Sequence, residues 1–153
     1  WTPKSTVDKP LPVIVFIYGG GWRDGAKDHY AFAGRALASR GYIVVLPDYR
    51  LFPKARFPGF LEDGAKALGW VHDHIGKYGG DVERIFLSGQ SAGAYNAMML
   101  ALDRQMRRRY GCPAVPATPR SDPATARSYA TGFWRWGVMS NMSNIPVSTI
   151  SRS

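Results

Sequence analysis

Ile85-Phe86-Leu87-Ser88-Gly89-Gln90-Ser91-Ala92-Gly93-Ala94 decides how this chain of 153 residues is read. Ile85 to Leu87 is a short apolar run that reads as a strand, and Ala94 to Leu102 is helix-compatible, so the residues between must turn the chain sharply. A serine in so tight a strand-to-helix turn takes a strained backbone conformation, and only small residues two before and two after it avoid collision. Gly89 and Gly93 supply that room. The following helix points its first N–H groups at the serine oxygen, where the positive end of its dipole stabilises developing negative charge. In a chain with 17 glycines a bare G-x-S-x-G can arise by chance. The strand and helix around it are what make the motif specific.

A second stretch, far away in sequence, points to the same chemistry. Val13-Ile14-Val15-Phe16-Ile17-Tyr18 is a continuous apolar run, the pattern of a strand covered on both faces, and it ends in Gly19-Gly20-Gly21-Trp22. A glycine loop at the end of a buried strand exposes backbone N–H groups with no side chains in the way. That is what stabilising the tetrahedral intermediate of acyl transfer requires. Alone, the loop is a flexible turn; paired with a serine elbow, it is an oxyanion-hole candidate.

With these residues the chain resembles the α/β-hydrolases of the carboxylesterase and lipase type, in the arylformamidase-like or feruloyl-esterase-like branch. The resemblance covers residues from about 11 to 103 and rests on five motifs in family order. They are Tyr18-Gly19-Gly20-Gly21-Trp22, Pro47-Asp48-Tyr49-Arg50-Leu51, Phe57-Pro58 with Glu62-Asp63, Tyr78-Gly79-Gly80-Asp81, and Gly89 to Gly93. It implies that Ser91 is the nucleophile and that the Ala92 N–H, with those of Gly20 and Gly21, forms the oxyanion hole. Sequence leaves open which two of the three glycines point inward. Tyr18 stands where many relatives have His, a position that shapes the loop and transfers no proton. By the same resemblance Asp48 and Arg50 fix a strand exit and Asp63 an early helix turn, all structural roles. A cofactor-free reaction on a small acyl ester is implied.

Read without the family, the first 103 residues still alternate strands and helices. Strands are expected over 13–18, 42–46 and 85–88. Between them, a helix over about 27–39 carries Tyr30, Ala33, Leu37 and Ala38 on one face, with Gly41 past its end. A longer helix over about 59–77 carries Leu61, Ala65, Leu68, His72 and Ile75, and Gly79 ends it. Strands joined by helical crossovers predict an α/β fold, a mostly parallel sheet with helices on both faces, here a partial α/β-hydrolase fold. Ligands of such sheets bind at the carboxyl end of the strands, where both Gly19 and Ser91 fall.

Composition changes abruptly after Asp103. Residues 1–103 carry 12 Lys and Arg against 10 Asp and Glu, whereas 104–153 carry 8 Arg, no Lys and one acid, Asp122. The net charge of +9 is therefore mostly a property of the last fifty residues. That stretch begins Arg104-Gln105-Met106-Arg107-Arg108-Arg109, passes through Pro113, Pro116, Pro119 and Pro123, and lacks a sustained apolar period outside Phe133-Trp134-Arg135-Trp136. It is expected to be an irregular, disordered tail, of the kind that a frameshifted or incomplete reading frame produces. The start at Trp1 without an initiator Met is also read as that of a fragment.

The elbow fold orders its triad as Ser, then Asp or Glu, then His. After Ser91 the only acids are Asp103 and Asp122, and no histidine follows; His29, His72 and His74 all precede it. His72 and His74 belong to the end of their helix, roughly 20 Å from its start at 1.5 Å per residue, on the edge of the sheet away from Ser91. His29 is read as a solvated residue at a helix start. A serine without a base is a weak nucleophile, although an oxyanion hole alone leaves residual catalysis.

The remaining candidates have plainer readings. Cys112, the only cysteine, excludes an internal disulfide and is read as a free thiol. Trp22 is expected to pack under the glycine loop. Asn141-Met142-Ser143 matches a glycosylation sequon, but no secretory leader is visible, and a cytoplasmic setting is expected. No segment is long enough to span a membrane, and no metal-ligand spacing or phosphate loop occurs. Two readings compete with an esterase. One is a pseudo-hydrolase that keeps the pocket as a binding module. The other, weaker, is a nucleic-acid or anionic-surface binder acting through the Arg-rich tail.

Overall fold

The computed structural model describes residues 1–3 and 9–109. Strand β1 (Leu11–Ile17) lies between β2 (Ile43–Val45) and β3 (Gly80–Gly89) in a three-stranded parallel sheet of order β2-β1-β3. Val13 faces Ile43 on one side and Ile85 on the other, and Ile17 faces Gly89. The apolar run of β1 is continuous because both faces of the sheet are covered. Val13, Val15 and Ile17 join one core with Ile43, Ile85 and Leu87, whereas Ile14 and Phe16 join a second core with Val44 and Leu46.

Helix α1 (Ala31–Ala38), preceded by a 3₁₀ turn at Lys27–Tyr30, covers the second core with Leu37 and Ala38. The single helix expected over 27–39 is therefore a tight turn followed by an α-helix. Helices α2 (Gly59–His74) and α3 (Ala92–Leu102) cover the first core, and α2 runs into a 3₁₀ turn at Ile75–Tyr78 that ends at Gly79. A further helix, α4 (Arg104–Arg109), occupies the first six residues of the stretch expected to be irregular.

Two further details differ from the expected pattern. The buried stripe of α2 is Leu61, Ala65, Leu68 and Val71, continued by Ile75 in the 3₁₀ turn; His72 is exposed. With 3.6 residues per turn, the position after Leu68 falls on 71 or 72, and the apolar side chain takes the core. Strand β3 also starts five residues earlier than its apolar run. Its polar first half pairs only at Leu11 with Gly80, and the register then jumps to Val13 with Ile85. Asp81 holds the looped-out residues by accepting from Arg84 Nε at 2.6 Å and from the Glu83 N–H at 2.9 Å.

Candidate active site

Ser91 sits between the end of β3 and the start of α3 with φ 52 and ψ −120, a backbone conformation that costs a non-glycine residue about 1–3 kcal/mol. The surrounding contacts hold it there. The Gly93 N–H donates to the Gln90 carbonyl at 2.9 Å, and the N–H groups of Ala94 and Tyr95 donate to the Ser91 carbonyl at 3.0 and 3.2 Å. A Cβ on Gly89 would lie 2.5 Å from the Gly93 carbonyl carbon, and one on Gly93 would press into the carbonyl groups of Ile17 and Tyr18. The turn thus tolerates nothing larger than glycine on either side. Ser91 itself is exposed, at the carboxyl edge of the sheet.

The glycine loop meets the elbow directly. The Gln90 N–H donates to the Ile17 carbonyl at 3.2 Å, which ties the end of β1 to the residue before Ser91. Gly19 passes so close that a Cβ on it would be 3.1 Å from the Ser91 Cβ. The Gly20 carbonyl accepts from the N–H groups of Arg23 at 3.1 Å and Asp24 at 3.0 Å, which folds the loop back on itself. The N–H groups of Gly20, Gly21 and Ala92 have no acceptor among the described residues.

Aromatic side chains set the position of the loop. Buried Tyr18 stacks on Tyr49, with ring centroids 4.7 Å apart, and on Tyr30 at 6.0 Å. The Tyr49 hydroxyl donates to the Tyr18 carbonyl at 3.0 Å, and the Tyr30 hydroxyl donates to Gln90 Oε1 at 3.0 Å. Burial pushes the Tyr49 hydroxyl far above its ordinary range and raises that of Tyr18, so both stay neutral. Trp22 packs beside the loop against α2 and α3: its ring stacks on Phe60 at 5.5 Å, meets Tyr95 edge-on at 5.6 Å, and its Nε1–H donates to Asn96 Oδ1 at 3.0 Å. Neither Asn96 nor Tyr30 was legible as a site residue. Each acts across 60 or more residues of sequence, and the only local hint was an asparagine, a poor helix former, inside α3.

The Asp48 and Asp63 carboxylates are engaged in ion pairs. Asp48 accepts from Lys27 Nζ at 2.6 Å and from the Lys27 N–H at 3.0 Å. Asp63 accepts from Arg50 Nε at 2.7 Å, Nη2 at 2.8 Å and the Arg50 N–H at 3.0 Å. Partial burial works against ionisation in both, yet these cations hold each carboxyl below its ordinary value. They brace the loops after β2 and stay ionised.

No histidine meets Ser91, whose Oγ has no hydrogen-bond partner among the described residues. His29 is exposed in the 3₁₀ turn. His72 Nδ1 lies 3.2 Å from Asp73 Oδ1, and His74 stacks on Trp70 at 4.8 Å with Nδ1 2.8 Å from the Trp70 carbonyl. Both sit at the end of α2. Asp103 closes α3 and accepts from the Gln105 N–H at 2.9 Å. Asp122, Cys112, the sequon at Asn141 and the apolar patch Phe133 to Trp136 lie outside the described residues, as does most of the Arg-rich stretch. Among the described residues no group of three His, Cys, Asp or Glu could hold a metal ion, and no helix is long and apolar enough to cross a membrane.

A parallel sheet with helices on both faces, a strained serine turn at its carboxyl edge and a glycine loop against that turn define an α/β-hydrolase of the esterase class. The BD-FAE family profile matches residues 1–117, and the chain belongs to that family. It is 41% identical over 103 residues to a probable isoprenylcysteine alpha-carbonyl methylesterase of Oryza sativa, covering 67% of this chain and 25% of that protein. It is 39% identical over 116 residues to the carboxylesterase NlhH of Mycobacterium tuberculosis, covering 75% of this chain and 35% of that one. Among solved structures, an inhibited esterase B from Lactobacillus rhamnosis superposes with a TM-score of 0.65 at 30% identity, covering 75% of this chain and 38% of that one. The butyrate-bound esterase Est2 of Thermogutta terrifontis gives 0.62 at 28% identity, covering 66% and 37%. The chain thus spans about a quarter to a third of the length of these curated relatives.

Proposed function

We propose that residues 1–103 form the nucleophile-bearing part of a serine carboxylesterase that cleaves small carboxylic esters without a cofactor. Ser91 Oγ attacks the acyl carbon, the carbonyl oxygen becomes an oxyanion, and the N–H of Ala92 with those of Gly20 and Gly21 receives it. The observation that carries this reading is the strained Ser91 backbone with the glycine loop packed against it. Such strain persists where the surroundings over-determine it, and preorganised amides aimed at developing charge supply the largest single share of many rate enhancements. The names of the relatives, carboxylesterases and methylesterases, agree on ester cleavage and differ on the ester.

The proton of Ser91 needs a base, and none of the three histidines in this chain reaches Ser91. The chain alone is accordingly expected to turn over a chromogenic short-chain ester at least about a hundredfold more slowly than an intact relative. A non-catalytic, pocket-only reading draws on that same missing base. Comparing the chain with its Ser91→Ala and His29→Ala variants separates the two: residual turnover lost in Ser91→Ala but kept in His29→Ala supports the esterase, whereas turnover that is equal in the chain and in Ser91→Ala supports the binding module. Turnover near that of an intact esterase, abolished by His29→Ala, would make His29 the base.

A further inference from the structure

Asn96 is 1% exposed in the second turn of α3, beside the fully buried Ala97 and Leu100. Its Oδ1 accepts the Trp22 indole N–H at 3.0 Å, while its Nδ2 is buried without a partner among the described residues. A buried amide donor left unsatisfied is a net cost that an apolar side chain would avoid. Trp22, at the other end of the bond, has φ 59, a conformation that burdens any bulky residue. Two unfavourable features thus flank one hydrogen bond, and that bond joins two particular elements. Trp22 directly follows Gly20 and Gly21; Asn96 rides on the helix that begins at Ala92, next to Ser91.

We propose that Asn96 is a positioning residue that holds the Gly20–Gly21 amides in register with the Ala92 amide by anchoring the Trp22 indole to α3. The proposal rests on the reading of those amides as oxyanion donors. Phe60 stacks on the Trp22 ring and Tyr95 meets it edge-on. The indole N–H bond adds a directional contact to these two and ties the ring to one position on α3. An oxyanion donor has to sit within hydrogen-bond reach of where the charge forms, so a loop displaced by an ångström loses much of its effect.

The test uses the full chain with Asn96→Leu, Trp22→Phe and the double variant. Three readouts are followed: the rate of Ser91 labelling by a fluorophosphonate, the urea midpoint, and the amide resonances of the glycine loop. The double variant removes the donor and the acceptor together and leaves no orphaned Asn96 amide, so its midpoint should lie above that of Trp22→Phe alone, which leaves Asn96 Oδ1 buried without its donor. Its labelling should nonetheless slow about tenfold or more, with little further loss beyond either single change, because both remove the same bond. The Gly20 and Gly21 resonances should move in all three variants while those of β1 and β3 stay in place. Should Asn96→Leu fail to fold, Trp22→Phe, which keeps an aromatic ring against Phe60 and Tyr95, carries the same comparison. Unmoved Gly20 and Gly21 resonances, or a labelling rate that merely tracks the midpoint, would overturn the proposal. Absence of any Ser91-dependent labelling in the wild-type chain would instead remove Ser91 as nucleophile, and the resonances alone would then decide the positioning claim.

Discussion

Replacing Gly93 by alanine sets two effects of opposite sign against each other. Gly93 lies inside α3, where alanine is ordinarily the better helix former by about 1 kcal/mol. The added Cβ, however, would press into the carbonyls of Ile17 and Tyr18, 2.6 Å from the Ile17 carbonyl carbon. These are backbone atoms and cannot rotate away. The Ile17 carbonyl accepts from the Gln90 N–H at 3.2 Å and the Tyr18 carbonyl accepts from the Tyr49 hydroxyl at 3.0 Å, so moving either one strains a hydrogen bond. Overpacking of this kind costs about 1–3 kcal/mol, and each weakened bond about 1 more. The net expectation, after the helix gain, is a loss of about 3 kcal/mol, read from urea unfolding followed by far-ultraviolet circular dichroism. Gly76→Ala is the control: nothing lies within 4 Å of its Cβ position, and it should be neutral or slightly stabilising. A Gly93→Ala chain as stable as the wild type would refute the claim that β1 and the elbow are in backbone contact at this glycine.

Two further outcomes follow from the packing and the ion pairs. Val71→Ala should destabilise by about 2 kcal/mol through lost burial, whereas His72→Ala should change stability by less than about 0.5 kcal/mol, since Val71 is 1% exposed and His72 lies outside the core; denaturant midpoints check both. The Asp63 carboxyl is held below its ordinary value of 3.8, because the hydrogen bonds and charge of Arg50 outweigh partial burial, so the folded state favours its ionised form. Its contribution to stability is present in full above that ordinary value and is lost as pH falls through the lower folded value. The acid limb of a Tm-against-pH curve should therefore flatten in Asp63→Asn, and an unchanged limb would exclude this pair as a source of acid sensitivity.

The parts of the fold legible in the sequence were those set by local residue chemistry. Val13 to Ile17 read as a doubly covered strand because no polar residue interrupts it, and the two glycines around Ser91 read as a tight turn because their spacing is fixed by sterics. The polar half of β3 was not legible: Asp81, Val82, Glu83 and Arg84 loop out of register and are held by an ion pair, without the alternation that marks a strand. The assignment of His72 to the buried stripe of α2 failed because a 3.6-residue period cannot choose between adjacent positions after Leu68. The clamps on the glycine loop were invisible for another reason. Trp22 with Asn96, and Tyr30 with Gln90, join residues 74 and 60 positions apart, and only the folded sheet brings them together.

If Ser91 is the proposed nucleophile, poised where amides of the glycine loop and α3 can receive an oxyanion, it should react with an electrophilic phosphorus. Treatment of the chain with a fluorophosphonate, followed by proteolysis and mass mapping, decides this. A single adduct is expected on the peptide that contains Ser91, slow for want of a base and absent in Ser91→Ala. An adduct that persists in Ser91→Ala, or one found on another serine, would contradict it.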